Sequence, residues 1–103
     1  MAAYSAAEGA VVNLTRAMAL DHAAEGIRVD CIAPGSVETP MLQREWEEMG
    51  GEAKVRHLFE EKHPMGRISQ PREIADAILF LASPEASFIN GVCLPVDAGL
   101  TAG

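Results

Sequence analysis

Across residues 5–24 small and apolar side chains recur at helical spacing, with Ala7, Ala10, Val11, Leu14 and Met18 on one face and Asn13, Arg16 and Asp21 elsewhere. The pattern predicts one long amphipathic helix. Ser5-Ala6-Ala7-Glu8 has the form of a capping box at its start, and Gly26 stands where a helix ends in a left-handed residue. Residues 27–33 alternate at first and then turn continuously apolar until Pro34-Gly35, which predicts a strand buried toward its C-terminal end. Residues 36–70 change in character. Two short charged helices, around 41–49 and 52–62, are separated by Gly50-Gly51 and followed by His63-Pro64-Met65-Gly66, which reads as a mobile, lid-like excursion. Pro71 opens another helix, Ile74, Ile78, Leu79 and Leu81 give it an apolar face, and Pro84 ends it. A last strand over 92–96 follows Asn90-Gly91. Pro95 cannot donate a ladder hydrogen bond, so that strand belongs at a sheet edge.

The order helix, strand, helical excursion, helix, strand defines an α/β class. Two strands joined through a packed helix run parallel, with a right-handed crossover. A two-stranded parallel sheet is normally part of a larger one, covered on both faces, so the apolar strand at 27–33 is expected to lack a neighbour on one edge. The 103 residues are expected to form a single partial domain.

Charge narrows the function classes. Fifteen acidic against eight basic side chains give a net charge of −7, which leaves no basic stripe for a nucleic acid or an anionic membrane surface. No apolar run approaches the roughly 20 residues that span a bilayer, and the chain is expected to be cytosolic. Cys31 and Cys93 lie in the two strands without ligand spacing and are expected to be buried free thiols. His57 and His63 have no further ligand at zinc spacing, so no metal site is expected and both are assigned to the surface. Trp46, Met49, Leu58 and Phe59 would line the apolar side of the excursion, where packing is the simpler role.

Four segments carry a resemblance: Tyr4-Ser5-Ala6-Ala7-Glu8, the run from Gly26 through Pro34-Gly35, Val37-Glu38-Thr39-Pro40-Met41, and Phe88-Ile89-Asn90-Gly91 with Val96-Asp97-Ala98-Gly99. In this order and spacing the chain resembles the second half of a classical short-chain dehydrogenase/reductase, from the active-site tyrosine onward. The resemblance implies the C-terminal half of a doubly wound parallel sheet, a partial Rossmann-like fold with a helical lid at 36–70. It implies an NAD- or NADP-dependent oxidoreductase acting on an alcohol or carbonyl. Tyr4 matches the acid/base position. In the family a lysine four residues on stabilises the phenolate and holds the nicotinamide ribose, and Glu8 stands there instead. A carboxylate has the wrong sign for either task, and its simpler role is to cap the helix with Ser5. Pro34, Gly35, Val37 and Thr39 match positions at the nicotinamide end of the cofactor, Val37 by a backbone group and Thr39 by its hydroxyl. Thr39 could equally cap the helix that starts at Pro40, and the two roles are compatible. The glycine-rich phosphate turn is not among the 103 residues. The expectation is therefore a chain that binds no cofactor alone. By the same resemblance it is expected to form homo-oligomers through its first helix and its last helix and strand.

Overall fold

The computed structural model describes residues 1–103. The chain forms two compact units, Met1–Ile32 with Ile78–Leu94 and Ala33–Ala77 with Pro95–Gly103. Its elements are α1 (Ala2–His22), β1 (Cys31–Pro34), α2 (Pro40–Glu48), α3 (Glu52–Glu61), α4 (Pro71–Ala82) and β2 (Cys93–Val96), with short 3-10 turns at Ala23–Glu25 and Pro84–Ala86. β1 and β2 form a two-stranded sheet. Cys31 N–H donates to Val92 C=O at 2.9 Å and Gly35 N–H to Val96 C=O at 3.1 Å, so partners advance together and the strands are parallel. This is the α/β arrangement with two parallel strands that the element order predicts, and it fits part of the Rossmann-like sheet that the resemblance implies.

In the first unit α1 begins four residues earlier than the capping box requires. Ala2, Ala3 and Tyr4 are already helical, Met1 is the N-cap without a side-chain bond, and Ser5 N–H donates to Met1 C=O at 2.9 Å. Strong helix formers ahead of Ser5 carry the helix past it, and a residue inside a helix cannot be its N-cap. The cap assigned to Ser5 and Glu8 is therefore corrected, and Glu8 is an exposed residue of the second turn. At the far end Gly26 takes the left-handed conformation, φ 76°, as expected.

The expected apolar face of α1 is also corrected. The residues it buries are Thr15 and Ala19, whereas Leu14 is 58% exposed. Thr15 is accommodated because its hydroxyl donates to Val11 C=O at 2.7 Å. Residues 27–30 form no ladder, and the strand is shorter than the alternation suggests. Their polar groups are paired one by one instead: Val29 C=O accepts from Gly91 N–H at 2.9 Å, the Asp30 carboxylate accepts from Val92 N–H at 2.9 Å, and the Arg28 guanidinium donates to the carbonyls of Ile89 and Ser83 at 3.2 and 3.3 Å. Asn90 bridges Val29 N–H and Ala19 C=O at 3.0 and 3.1 Å. On α4 only Leu81 is buried, while Ile78 and Leu79 face outward. Cys31 and Cys93 are half-buried free thiols, and the Cys93 thiol is pushed up by its hydrogen bond to Cys31 and by burial.

The second unit has its own core. Leu42, Trp46, Val55 and Ile68 pack together with Phe59 against them, and Trp46 is fully buried. The Trp46 and Phe59 rings meet edge to face with centroids 5.8 Å apart. The link between α2 and α3 is Gly50-Gly51, with φ values of 115° and 105° that only glycine adopts without strain. Met49 and Leu58, expected to line the same side, are each 45% exposed and lie outside the core. Trp46 Nε1 is a buried donor without a partner.

Candidate functional site

The loop that leaves β1 is built from Pro34, Gly35, Ser36, Val37, Glu38 and Thr39, all in the second unit. Gly35 is required by packing, since a Cβ there would lie 2.7 Å from His63 Nε2 and 3.1 Å from Asp97 Cα. The next residues are paired with the segment before α4. Ser69 N–H donates to Ser36 C=O at 3.0 Å, Ser69 Oγ donates to the same carbonyl at 3.1 Å, and Glu38 N–H donates to Ser69 C=O at 2.9 Å. These bonds flank Val37 and make a parallel bridge between Val37 and Ser69. In such a bridge the central residue's own peptide groups point away from the partner strand. The N–H and C=O of Val37 accordingly have no hydrogen-bond partner in the chain.

Thr39 caps α2. Its Oγ1 accepts from Leu42 N–H at 3.2 Å, with extended backbone angles and Pro40 in the first helical position. Capping uses a lone pair and leaves the hydroxyl hydrogen available to donate. Glu38, between Val37 and Thr39, is held from two sides. Gln70 Nε2 donates to Oε2 at 2.8 Å, and Arg56 Nη1 donates to Oε1. The amide of Gln70 and the guanidinium of Arg56 hold this carboxyl below the usual carboxylate range.

His63 closes the loop from below. Nδ1 lies 2.8 Å from Phe59 C=O, and Nε2 accepts from Ser36 N–H at 3.1 Å, an arrangement that fits the tautomer protonated on Nδ1. The residue is 3% exposed, so its assignment to the surface is corrected. The reason is local. A histidine four residues after Phe59 at the end of α3 can take up a helix carbonyl left without an intrahelical donor, and the ring then reaches the loop. Beside it Asp97 accepts from Gly99 N–H at 3.0 Å, Thr101 N–H at 3.2 Å and Thr101 Oγ1 at 2.6 Å, and the Thr101 hydroxyl chiefly holds its carboxyl low. Gly35, Ser36, His63, Arg67, Ser69 and Asp97 line a cleft of about 250 Å³.

Of the residues assigned from the sequence, Pro34, Gly35, Val37 and Thr39 are brought together in this one loop. Tyr4 and Glu8 lie on α1 in the other unit, and both are exposed. The sequence reading missed Glu38, Arg56, His63, Ser69 and Gln70. Only Arg56 had a visible signal, because Glu52 and Glu60 flank it at four-residue spacing. No group of three or more His, Cys, Asp or Glu side chains is placed to hold a metal ion. No helix is long and apolar enough to cross a membrane.

Comparison with known proteins places the chain in a family. The family model described as enoyl-(acyl carrier protein) reductase matches residues 1–101. The meso-2,3-butanediol dehydrogenase of Serratia marcescens is 48% identical over 99 residues, which are 96% of this chain and 37% of that protein. Among solved structures, a C-terminal deletion mutant of the aldohexose dehydrogenase of Thermoplasma acidophilum superposes with a TM-score of 0.93 at 39% identity, over 99% of this chain and 46% of that one. ElxO, in a structure with NADP bound, superposes with a TM-score of 0.85 at 30% identity, over 97% of this chain and 39% of that one. The chain thus spans less than half the length of these relatives. On the match over 1–101, it belongs to the short-chain dehydrogenase/reductase family and corresponds to the C-terminal portion of its members.

Proposed function

We propose that this chain carries the nicotinamide-side portion of an NAD(P)-dependent oxidoreductase site for an alcohol or carbonyl substrate, and that on its own it neither holds the dinucleotide nor turns over. The observation that carries the first half is the loop after β1, where the unpaired N–H and C=O of Val37 stand two residues from the free hydroxyl donor of Thr39. The carbonyl oxygen of a primary amide has two lone pairs, which the Val37 N–H and the Thr39 hydroxyl would fill, and its NH2 group has a hydrogen that the Val37 C=O would accept. Pro34 and Gly35 would stand at the nicotinamide side of the site, with Gly35 letting the loop lie close against His63 and Asp97. The bound dinucleotide would accept a hydride from an alcohol or supply one to a carbonyl; the residues named here would orient its amide end.

The second half rests on Tyr4 and Glu8. The tyrosine is the proton-transfer group of the reading, but a carboxylate on the next turn of the same helix face repels a phenolate and an anionic cofactor alike. The glycine-rich turn that would hold the pyrophosphate is not within the sequence. Titration with NADH and NADPH, followed by nucleotide fluorescence, is expected to show no saturable binding to the chain or to its Glu8→Lys variant. Fused behind the N-terminal portion of a full-length relative, only Glu8→Lys is expected to turn over an alcohol. Saturable binding by the chain alone, or turnover of the fusion with Glu8 in place, would overturn the reading.

A second reading has its own observation. Val11, Leu14 and Met18 on α1 and Ile78 and Leu79 on α4 leave apolar faces open to solvent, Leu79 being 69% exposed. These faces support a self-associating, non-catalytic half-domain, a homo-oligomer formed through α1 and through α4 with β2. In either reading the protein works in the cytosol and without nucleic acid.

A further inference from the structure

We infer that Arg56 is a positioning residue for the loop after β1: by gripping Glu38 together with Gln70, it fixes the direction in which Val37 presents its unpaired peptide groups and Thr39 its hydroxyl. The inference rests on the reading of that loop as the nicotinamide end of the site, and it adds a residue from the lid-like excursion to it.

Arg56 lies on α3, and its guanidinium is shared. Nη1 donates to Glu38 and, at 2.7 Å, to Glu52; Nε reaches Glu60 at 3.5 Å. The guanidinium carbon sits 5.3 Å from the centroid of the fully buried Trp46 ring. The arginine is thus anchored by the excursion's core on one side and by its own helix on two others. Of its hydrogen-bond partners only Glu38 lies outside α3. Gln70 grips the other oxygen of the same carboxylate from the segment that pairs with Ser36 and Glu38. Glu38 therefore has little freedom left, and its N–H to Ser69 is one of the bonds that turn the Val37 peptide groups outward.

Releasing Glu38 should loosen the Glu38 end of that bridge before it loosens anything else, because the bridge is only two backbone bonds long and its other end is braced separately, by Ser69 Oγ on the Ser36 carbonyl and by His63 on the Ser36 amide. A residue that merely stabilised the unit would affect the Trp46 amide and the loop amides equally. A positioning residue would affect the loop selectively.

The test is amide hydrogen exchange by NMR on the full chain without nucleotide, comparing Arg56→Met, Glu38→Gln, the charge swap Glu38→Arg with Arg56→Glu, and Glu52→Gln as a control that leaves the loop contact intact. Arg56→Met and Glu38→Gln are expected to speed exchange at the Glu38 and Ser69 amides roughly tenfold relative to the Trp46 amide. The swap is expected to recover most of that protection, and Glu52→Gln to leave it unchanged. If Arg56→Met does not fold, Glu38→Gln gives the same readout with the arginine still over Trp46. A change shared equally by the Trp46 amide, or loop protection equal to the parent's in both single variants, would overturn the inference. Because no nucleotide is present, failure of the cofactor reading shows in the fluorescence titration and leaves this result standing.

Discussion

The two units of this chain solve the same problem in opposite ways. The unit Ala33–Ala77 with Pro95–Gly103 closes on itself: Trp46 is fully buried, His63 has both ring nitrogens engaged, and Glu38, Asp97 and Glu73 each accept several hydrogen bonds. The unit Met1–Ile32 with Ile78–Leu94 is open. Its long helix buries Thr15 and Ala19 and leaves Leu14 in water, and α4 leaves Leu79 there. The difference teaches where function can be studied in this chain. The loop geometry is self-contained and can be tested in the chain alone, whereas Tyr4, the proposed proton-transfer group, lies in the unit whose apolar faces are open to solvent.

The sharpest way to break this contrast is to remove one large apolar side chain from each unit. Trp46→Ala deletes the centre of the second unit's core and is expected to cost about 3–5 kcal/mol in urea unfolding followed by far-UV circular dichroism, since the change removes the only tryptophan. Leu14→Asp alters a side chain already 58% exposed and is expected to stay within about 0.5 kcal/mol. It should also reduce the sedimentation coefficient of any self-associated form. A Leu14→Asp cost comparable to that of Trp46→Ala would show that the α1 face is covered in the folded chain, and the contrast would fail.

A smaller effect is expected from His63→Ala. The ring makes one bond to a helix-end carbonyl and one to the Ser36 amide, and both partners sit where water is scarce. Leaving them unmade is expected to cost about 1–3 kcal/mol. The loss should be visible as faster exchange at the Ser36 amide with α1 unaffected. Equal loss of protection along α1 would mean that the units do not respond separately.

How far the sequence leads depends on the kind of interaction. Periodicity placed both excursion helices within a residue or two, because Gly50-Gly51 and Pro40 mark their ends by backbone chemistry alone. The cap at Thr39 was legible through the Thr-Pro pair. What could not be read was which apolar face is covered. Val11, Leu14 and Met18 have the helical spacing of a core face, and hydrophobic periodicity reports that a face wants burial, not what buries it. Equally hidden were pairings set by the fold, such as Glu38 with Arg56, 18 residues apart, and Ser36 with His63, 27 apart. The cap assigned to Ser5 failed for a plainer reason. A capping box is a local pattern, and alanines ahead of it let the helix continue.

The smallest effect concerns Glu73, at the start of α4. Arg67 donates to its two oxygens at 2.7 and 2.8 Å, and Gln70 N–H donates to Oε1 at 2.9 Å. The fork of Arg67 first, and the Gln70 amide second, bring its carboxyl from the ordinary 4.5 down to about 2. The folded state thus holds this group ionised at a pH where the unfolded chain has it protonated. Its contribution to stability is present above the unfolded value and is lost as pH falls from about 4.5 toward 2. Both partners are exposed to solvent, so salt should screen the pair and the urea midpoint at neutral pH should hardly move in Glu73→Gln. The direct measurement is the carboxyl carbon shift of Glu73 against pH at low and at 1 M salt. A midpoint well below that of an exposed glutamate, rising with salt, is expected; a midpoint near 4.5 at low salt would remove Glu73 from the bonds that make this unit self-contained. Glu38 offers the comparison within the same unit. Its carboxyl is less exposed, at 20% against 39%, and is gripped from two segments, so its midpoint should respond less to salt than that of Glu73.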